Sequence, residues 1–396
     1  MSQVQDLLAD TYGAFLGFGL AMAIVWALTP VVGEFARRMG IIDQPAARKI
    51  HAVPTPRLGG IAIYFGVIVP SLLFLSSDPV VRGILAGASL SVLLGLVDDV
   101  RDVPPRLKLL GQVAAAVILV FYGVRVETLS IPFLGILSLG GLGIVFSVIW
   151  VVSIMNIVNF IDGMDGLAAG VCAIASVTFS IIAISLGRYD MGILAAILAG
   201  STIGFLWHNF HPASIFMGDS GSLLLGFLLA AISLQGFLKG VATVALLIPL
   251  AVLGLPIFDT GFAILRRVKN RQPIYVADRG HLHHRFSNLG YTQRQTVVIL
   301  YSWSASLSAL ALAMRFAPVW AALSLGAVVA GYSAYLGYRL EILRWSKFVR
   351  RSSADATLPS EWSEPEEHLK GRQAGVGALA AENEPGRVIP DAGERE

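Results

Sequence analysis

Asn159-Phe160-Ile161-Asp162-Gly163-Met164-Asp165-Gly166 lies between two long apolar runs, residues 137–157 and 166–186. A run of about 20 apolar residues spans the hydrocarbon core of a bilayer as a helix. The octapeptide between the two runs therefore turns at a membrane edge, carrying two carboxylates, an amide and glycines. Carboxylates are expensive near hydrocarbon, so acids at such a place mark a functional site by default. Three further acidic clusters lie at comparable positions: Asp98-Asp99, Gly218-Asp219-Ser220 and Asp259.

Composition agrees with a chain built for lipid. Of 396 residues 55% are hydrophobic and 14% charged, against roughly 25% charged in a soluble domain. Mean hydropathy is +0.72. Strand alternation is absent, which disfavours a β-barrel, so the expectation is an all-α polytopic membrane protein. Apolar runs lie at 12–33, 58–76, 82–98, 108–122, 137–157, 166–186, 191–207, 220–236, 241–263, 297–314 and 318–339, about eleven spans by length. Residues 124–136 read as a short external hairpin or surface turn. The first run has no basic stretch before it, so it reads as a span and not a cleaved leader. Cys172, the one cysteine, sits in an apolar run and reads as a packing residue.

Charge sets the orientation. One set of connections holds Arg37, Arg38, Arg48, Lys49, Arg57, Arg101, Arg106, Lys108, Arg266, Arg267, Lys269, Arg271, Arg279, Arg285 and Arg294, with Arg339 to Arg351 after the last span. The other set has Arg82, Arg125, Arg188, Lys239 and Arg315, one to a loop. Positive charge marks the cytoplasmic face, which puts the N-terminus outside and the C-terminus inside. Every acidic motif then falls on the cytoplasmic side, although the count used no Asp or Glu. Residues 1–345 read as a transmembrane catalytic domain. Residues 346–396, rich in Glu, Pro, Gly and Ala, read as a disordered acidic cytoplasmic tail.

The residue types suggest the chemistry. Adjacent Asp98 and Asp99 suit a magnesium ion, or raise one another's pKa by like-charge repulsion; one such aspartate alone would be read as a helix end. Asn156, Asn159, Asp162 and Asp165 recur every third residue, with Gly163 and Gly166 ending the helix and letting backbone approach a ligand. Amides and carboxylates suit sugar and nucleotide hydroxyls. Asp219 sits between glycines at a helix start, where Ser220 and Ser222 are candidate caps. Asp278-Arg279-Gly280-His281-Leu282-His283-His284-Arg285 suits phosphate or sugar better than a transition metal, since no cysteine is near and three histidines so close fit one ion poorly. Arg57 and Lys108 lie on the same face as candidate phosphate-side cations. His208 and His211 lie near Asp219 in sequence, in supporting or interfacial roles. Acids and bases on one face suit a metal–diphosphate substrate.

Pro56-Arg57-Leu58-Gly59-Gly60, Asp98-Asp99, Asn159 to Ala168, Phe216 to Ser222 and Pro256-x-x-Asp259-Thr260, in this order, resemble the polyprenyl-phosphate N-acetylhexosamine-1-phosphate transferases over residues 12–340. The resemblance implies eleven helices, a cytoplasmic active site in the bacterial inner membrane, and Mg2+ or Mn2+. It implies transfer of a sugar-1-phosphate from a uridine diphosphate sugar to undecaprenyl phosphate, with UMP released. Asp98 matches the family's proton-accepting or lipid-phosphate-positioning residue, with Asp99 beside it. Asp219 matches the principal metal ligand. Asn156, Asn159, Asp162 and Asp165 match the nucleotide-sugar and metal-proximal segment, Asp162 serving the metal as well, and Lys108 and Arg57 the phosphate-side cations. The last loop (Arg279, His281, His283, His284, Arg285) is similar to that of GlcNAc-1-phosphate transferases and unlike the histidine triplet of the muramoyl-pentapeptide enzymes, which implies UDP-GlcNAc as donor for a cell-envelope glycan, with the muramoyl-pentapeptide donor or another UDP-N-acetylhexosamine as the alternative. The expected partners are UDP-GlcNAc, undecaprenyl phosphate and membrane lipid, without nucleic acid; a homodimer stays open. A transporter is the rival reading, but its acids should cluster at the bilayer midplane.

Overall fold

In a computed structural model the protein is described over residues 2–44, 54–75, 78–131, 135–238, 247–269, 282, 285–286 and 289–339. Apart from two short antiparallel strand pairs, the regular elements among the described residues are helices. The helices are α1 (Ser2–Arg38), α2 (Gly59–Phe74), α3 (Pro79–Val100), α4 (Pro105–Phe121), α5 (Leu142–Ile161) and α6 (Leu167–Ser185), followed by α7 (Tyr189–Asn209) and α8 (Gly218–Ser233). After α8 come a π-helical segment (Leu234–Leu238), α9 (Leu247–Val252), α10 (Gly254–Lys269), α11 (Gln293–Phe316) and α12 (Val319–Arg339). Eight of these helical stretches are long and apolar enough to cross a membrane, so the chain is an all-α, multi-spanning membrane protein.

Each apolar run meets a helix, with three differences. α1 begins ahead of its run, at Ser2. The run at 241–263 is not one rod: a turn at Leu253 separates α9 from α10, beside Pro249 and Pro256, which cannot donate to a helix ladder. The run at 137–157 starts late, at Leu142, because Gly135–Ser138 pairs antiparallel with Thr128–Ile131 as a hairpin. Of the hairpin or surface turn expected near 124–136, the pairing is that of a hairpin.

Helix association inside lipid draws little from apolar burial and relies on close packing and polar pairs. Both are present. Gln112 of α4 and Asn156 of α5 exchange side-chain hydrogen bonds at 2.7 and 3.3 Å, and the Trp150 indole N–H of α5 donates to Ser233 of α8 at 2.8 Å. α8 is the most enclosed span, 89% of its apolar window buried against 11% for α12, so it is the post around which α2, α3 and α5 stand. Cys172 is buried in α6.

The start of α8 is fixed by backbone. Phe216 donates to the Pro56 carbonyl (2.9 Å), Gly59 to Phe216 (3.0 Å) and Gly60 to Met217 (2.9 Å). This ladder explains why Pro56-Arg57-Leu58-Gly59-Gly60 and Phe216-Met217-Gly218 occur together. A Cβ on Gly60 would overlap the Gly221 amide, and one on Gly95 of α3 would overlap the Ser220 Cα. Two glycines on opposite sides thus let α2 and α3 close on the first turn of α8.

Candidate functional site

Asp98 ends α3 with both carboxylate oxygens engaged. Oδ1 accepts from the Val103 amide at 2.7 Å, which shapes the turn into α4, and Oδ2 accepts from Lys108 Nζ at 2.8 Å. The same ammonium reaches Asp219 Oδ2 on α8. Asp219 Oδ1 in turn accepts from Asn159 Nδ2 of α5 at 2.9 Å, and that amide also donates to Ser222 Oγ at 2.8 Å. One connected polar group therefore joins α3, α4, α5 and α8 through residues far apart in the chain. It is half-buried, at the ends of apolar helices.

Asp99 points elsewhere. Its Oδ1 accepts from the Asp219 amide (2.8 Å), and its Oδ2 from the Ser220 amide (3.1 Å) and hydroxyl (2.7 Å). A carboxylate on the free N–H groups of a helix start satisfies donors that have no partner within the helix. The expected capping by Ser220 and Ser222 is corrected accordingly. No side chain of α8 itself caps it; the cap comes from α3, while Ser220 holds Asp99 and Ser222 takes Asn159. Asp98 and Asp99, expected as a pair, are split between two tasks, because adjacent residues at the end of a helix point about 100° apart.

The acid loop runs between α5 and α6. Asp162 ends α5; burial first, then the charges of Asp219 and Asp99, push its carboxyl up to about 8, with Arg57 opposing. Asp165 Oδ2 accepts from His211 Nδ1 (2.8 Å) and from the Ala213 amide (3.1 Å). The three-residue spacing therefore does not hold one face: Asn159 reaches Asp219, Asn156 pairs with Gln112, and Asp162 and Asp165 lie beyond the helix. Arg57 contacts Asp43 at 3.6 Å, across the short pairing of Ile42–Asp43 with Thr55–Pro56. Its charge acts on Asp162 from there.

Asp259 of α10 is buried and accepts from the Leu282 amide at 2.9 Å. Leu282 lines a small apolar cavity with Ile161, Leu167, Leu255, Asp259 and Leu300, which brings one point of the last loop beside the acid loop. Arg285 is buried. Arg279, His281, His283 and His284 lie outside the described residues, as does Lys49. His211, read only as a supporting residue, holds Asp165. His208 Nε2 meets the Trp26 carbonyl of α1 at 3.0 Å and serves helix packing. Gln112 and Tyr301 were not singled out in the sequence; each sits in an ordinary apolar helix pattern.

Among the described residues no three His, Cys, Asp or Glu side chains are grouped tightly enough to hold a metal by themselves. Magnesium takes one or two protein carboxylates and completes its shell with water and substrate phosphates. Carboxylates of the kind magnesium takes do converge here: Asp98 and Asp219 meet on one ammonium, and the charges of Asp219 and Asp99 act on the buried Asp162. The donors are all hard oxygen.

The family model described as Glycosyl transferase family 4 matches residues 81–237, which span Asp98, Lys108, Asp162 and Asp219. A probable undecaprenyl-phosphate N-acetylglucosaminyl 1-phosphate transferase of Bacillus subtilis is 38% identical over 310 residues, 78% of this chain and 87% of that one. The decaprenyl-phosphate N-acetylglucosaminephosphotransferase of Mycobacterium leprae is 36% identical, over 72% of this chain and 80% of its own. A phospho-N-acetylmuramoyl-pentapeptide-transferase of Desulforudis audaxviator is 32% identical, over 74% and 96%. With similarity of this extent running through the helices that carry the joined acids, the chain belongs to the bacterial polyprenyl-phosphate N-acetylglucosamine-1-phosphate transferases.

Proposed function

We propose that the protein transfers GlcNAc-1-phosphate from UDP-GlcNAc to undecaprenyl phosphate at the cytoplasmic face of the bacterial inner membrane, releasing UMP. A lipid-linked cell-envelope glycan would start from the product. The observation that carries the reading is the Asp98–Lys108–Asp219–Asn159 connection, which gathers acids, an amide and a cation where a lipid headgroup and a water-soluble donor can meet. Eleven helical passages, α9 and α10 forming one, put the N-terminus outside and the tail from residue 346 inside, beyond a catalytic domain of residues 1–345.

Asp219 and Asp162 are the residues that would hold the divalent cation. When bound, it neutralises the diphosphate and the charge that develops as the bond breaks. Lys108 binds phosphate oxygens and keeps Asp98 and Asp219 from repelling one another. Asp98 orients the lipid phosphate, which is already largely ionised near neutral pH. An oxygen of that phosphate bonds to the β-phosphorus of the donor, and the bond from the β-phosphorus to the bridging oxygen breaks. UMP leaves with that oxygen. Asn159 fixes Asp219, and Asp99 fixes the helix start from which Asp219 projects. Asp165, Asn156, Arg57, Arg285 and the loop of Arg279, His281, His283 and His284 form the donor side.

Purified protein in detergent, given undecaprenyl phosphate and Mg2+, should release UMP from UDP-GlcNAc and from neither of the other donors when UDP-GalNAc and UDP-MurNAc-pentapeptide are offered in parallel. Activity with the pentapeptide donor alone would overturn the donor assignment. Solute flux without UMP would overturn the transferase reading.

A further inference from the structure

The acid loop ends at Gly166, whose φ of +77° belongs to the left-handed region that glycine adopts readily. Its amide donates to Asn209 Oδ1 at 3.0 Å. Its carbonyl accepts twice, from the Gly170 amide at 2.9 Å and from the Tyr301 hydroxyl at 2.6 Å. Tyr301 belongs to α11, more than a hundred residues away and outside the segment that the family model matches. The approach is built in on both sides. A Cβ on Gly170 would overlap the Tyr301 hydroxyl, and one on Gly166 would press on it at 3.3 Å. A hydroxyl among apolar helices must find a partner, and here the partner is a backbone carbonyl of the functional loop and not its own helix.

We infer that Tyr301 is a positioning residue for the donor side of the site: its hydroxyl, through the Gly166 carbonyl, holds the loop that carries Asp162 and Asp165. Asp165 is already tied to the α7–α8 connection by His211 and Ala213. Tyr301 adds an anchor from α11 to those that Asn209, His211 and Ala213 supply from α7 and the α7–α8 connection. This inference rests on the reading of residues 162–166 as donor and metal side. It assigns α11 a task in the reaction besides filling the bilayer.

Tyr301→Phe in the full chain keeps the ring against Gly170 and removes only the hydroxyl. Three readouts decide the matter: KM for UDP-GlcNAc at saturating lipid, KM for undecaprenyl phosphate at saturating donor, and amide hydrogen exchange over residues 160–172 without substrate. Loss of one hydrogen bond of ordinary strength should raise the donor KM about three- to tenfold. It should speed exchange in the loop and leave the lipid KM as in wild type, with a fall in the thermal midpoint no larger than one hydrogen bond gives. Unchanged loop exchange with an unchanged donor KM would overturn the inference. So would a parallel rise of both KM values with a midpoint lowered beyond that, which is the mark of general loosening. A wild-type protein that transfers nothing would instead sink the functional reading, and the exchange arm would still judge whether Tyr301 holds the loop.

Discussion

Asp99→Asn separates a residue that builds the site from one that reacts in it. The carboxylate of Asp99 takes the Asp219 amide on one oxygen and the Ser220 amide and hydroxyl on the other. Asparagine keeps one acceptor oxygen and turns an NH2 toward the remaining donors. The Ser220 hydroxyl can rotate and accept; the backbone amide it leaves cannot. One charge-assisted hydrogen bond is lost, about 1.5–3 kcal/mol, together with the attraction between a negative charge and a helix N-terminus, about 0.3–1 kcal/mol. The expected destabilisation is about 2–4 kcal/mol. It falls on the first turn of α8, where Asp219 projects. Thermal unfolding in detergent should show a clear fall in midpoint, and transfer should fall with it. Mg2+ above the wild-type requirement should restore part of the rate by refilling a loosened site. A variant with the wild-type midpoint and no transfer would refute the reasoning, because Asp99 would then act on substrate and not through α8.

Asp219→Asn should abolish Mg2+-dependent transfer while the protein keeps its fold, as judged by gel filtration in detergent; near-normal turnover would remove Asp219 from the metal. Gly95→Ala drives a Cβ into the Ser220 backbone, and overpacking of this kind costs about 1–3 kcal/mol, so the thermal midpoint should fall and transfer with it. Asp162 gives a pH signature in metal-free protein. Its folded pKa of about 8 stands above the unfolded value near 4, so the folded state holds a proton that the unfolded chain sheds. Stability is therefore withdrawn as pH rises from about 4 to about 8, and Asp162→Asn should flatten the midpoint-against-pH curve below pH 8. Mg2+ binding measured by calorimetry should release a proton below that pH and none above it.

Much of this architecture is legible in the sequence, for a physical reason. Lipid forces backbone to pair within a segment, so hydropathy alone places helices such as α6 and α7 to within a few residues. The run at 241–263 misleads, because hydropathy does not register that Pro249 and Pro256 interrupt the ladder. The acids stand out singly since charge is rare near hydrocarbon, but their partners do not. Nothing in the spacing tells Asp98 from Asp99, yet one faces Lys108 and the other caps α8; that division follows from the turn of about 100° between neighbours on a helix and from the close approach of α3 to α8 that Gly95 permits. Asn156 and Asn159 look equivalent on a helix face, and only the neighbour decides, Gln112 for one and Asp219 for the other. Tyr301 carries no local signal at all, since a tyrosine in an apolar helix is common and its significance lies wholly in the carbonyl it reaches.

On the proposed topology, residues from separate crossings meet at one site that faces the cytoplasm. In a Cys172→Ser background, single cysteines at positions 98 and 219 can be challenged with a membrane-impermeant thiol reagent in inverted and in right-side-out vesicles. Both positions should react in inverted vesicles only. Labelling of the two positions from opposite compartments would contradict the account.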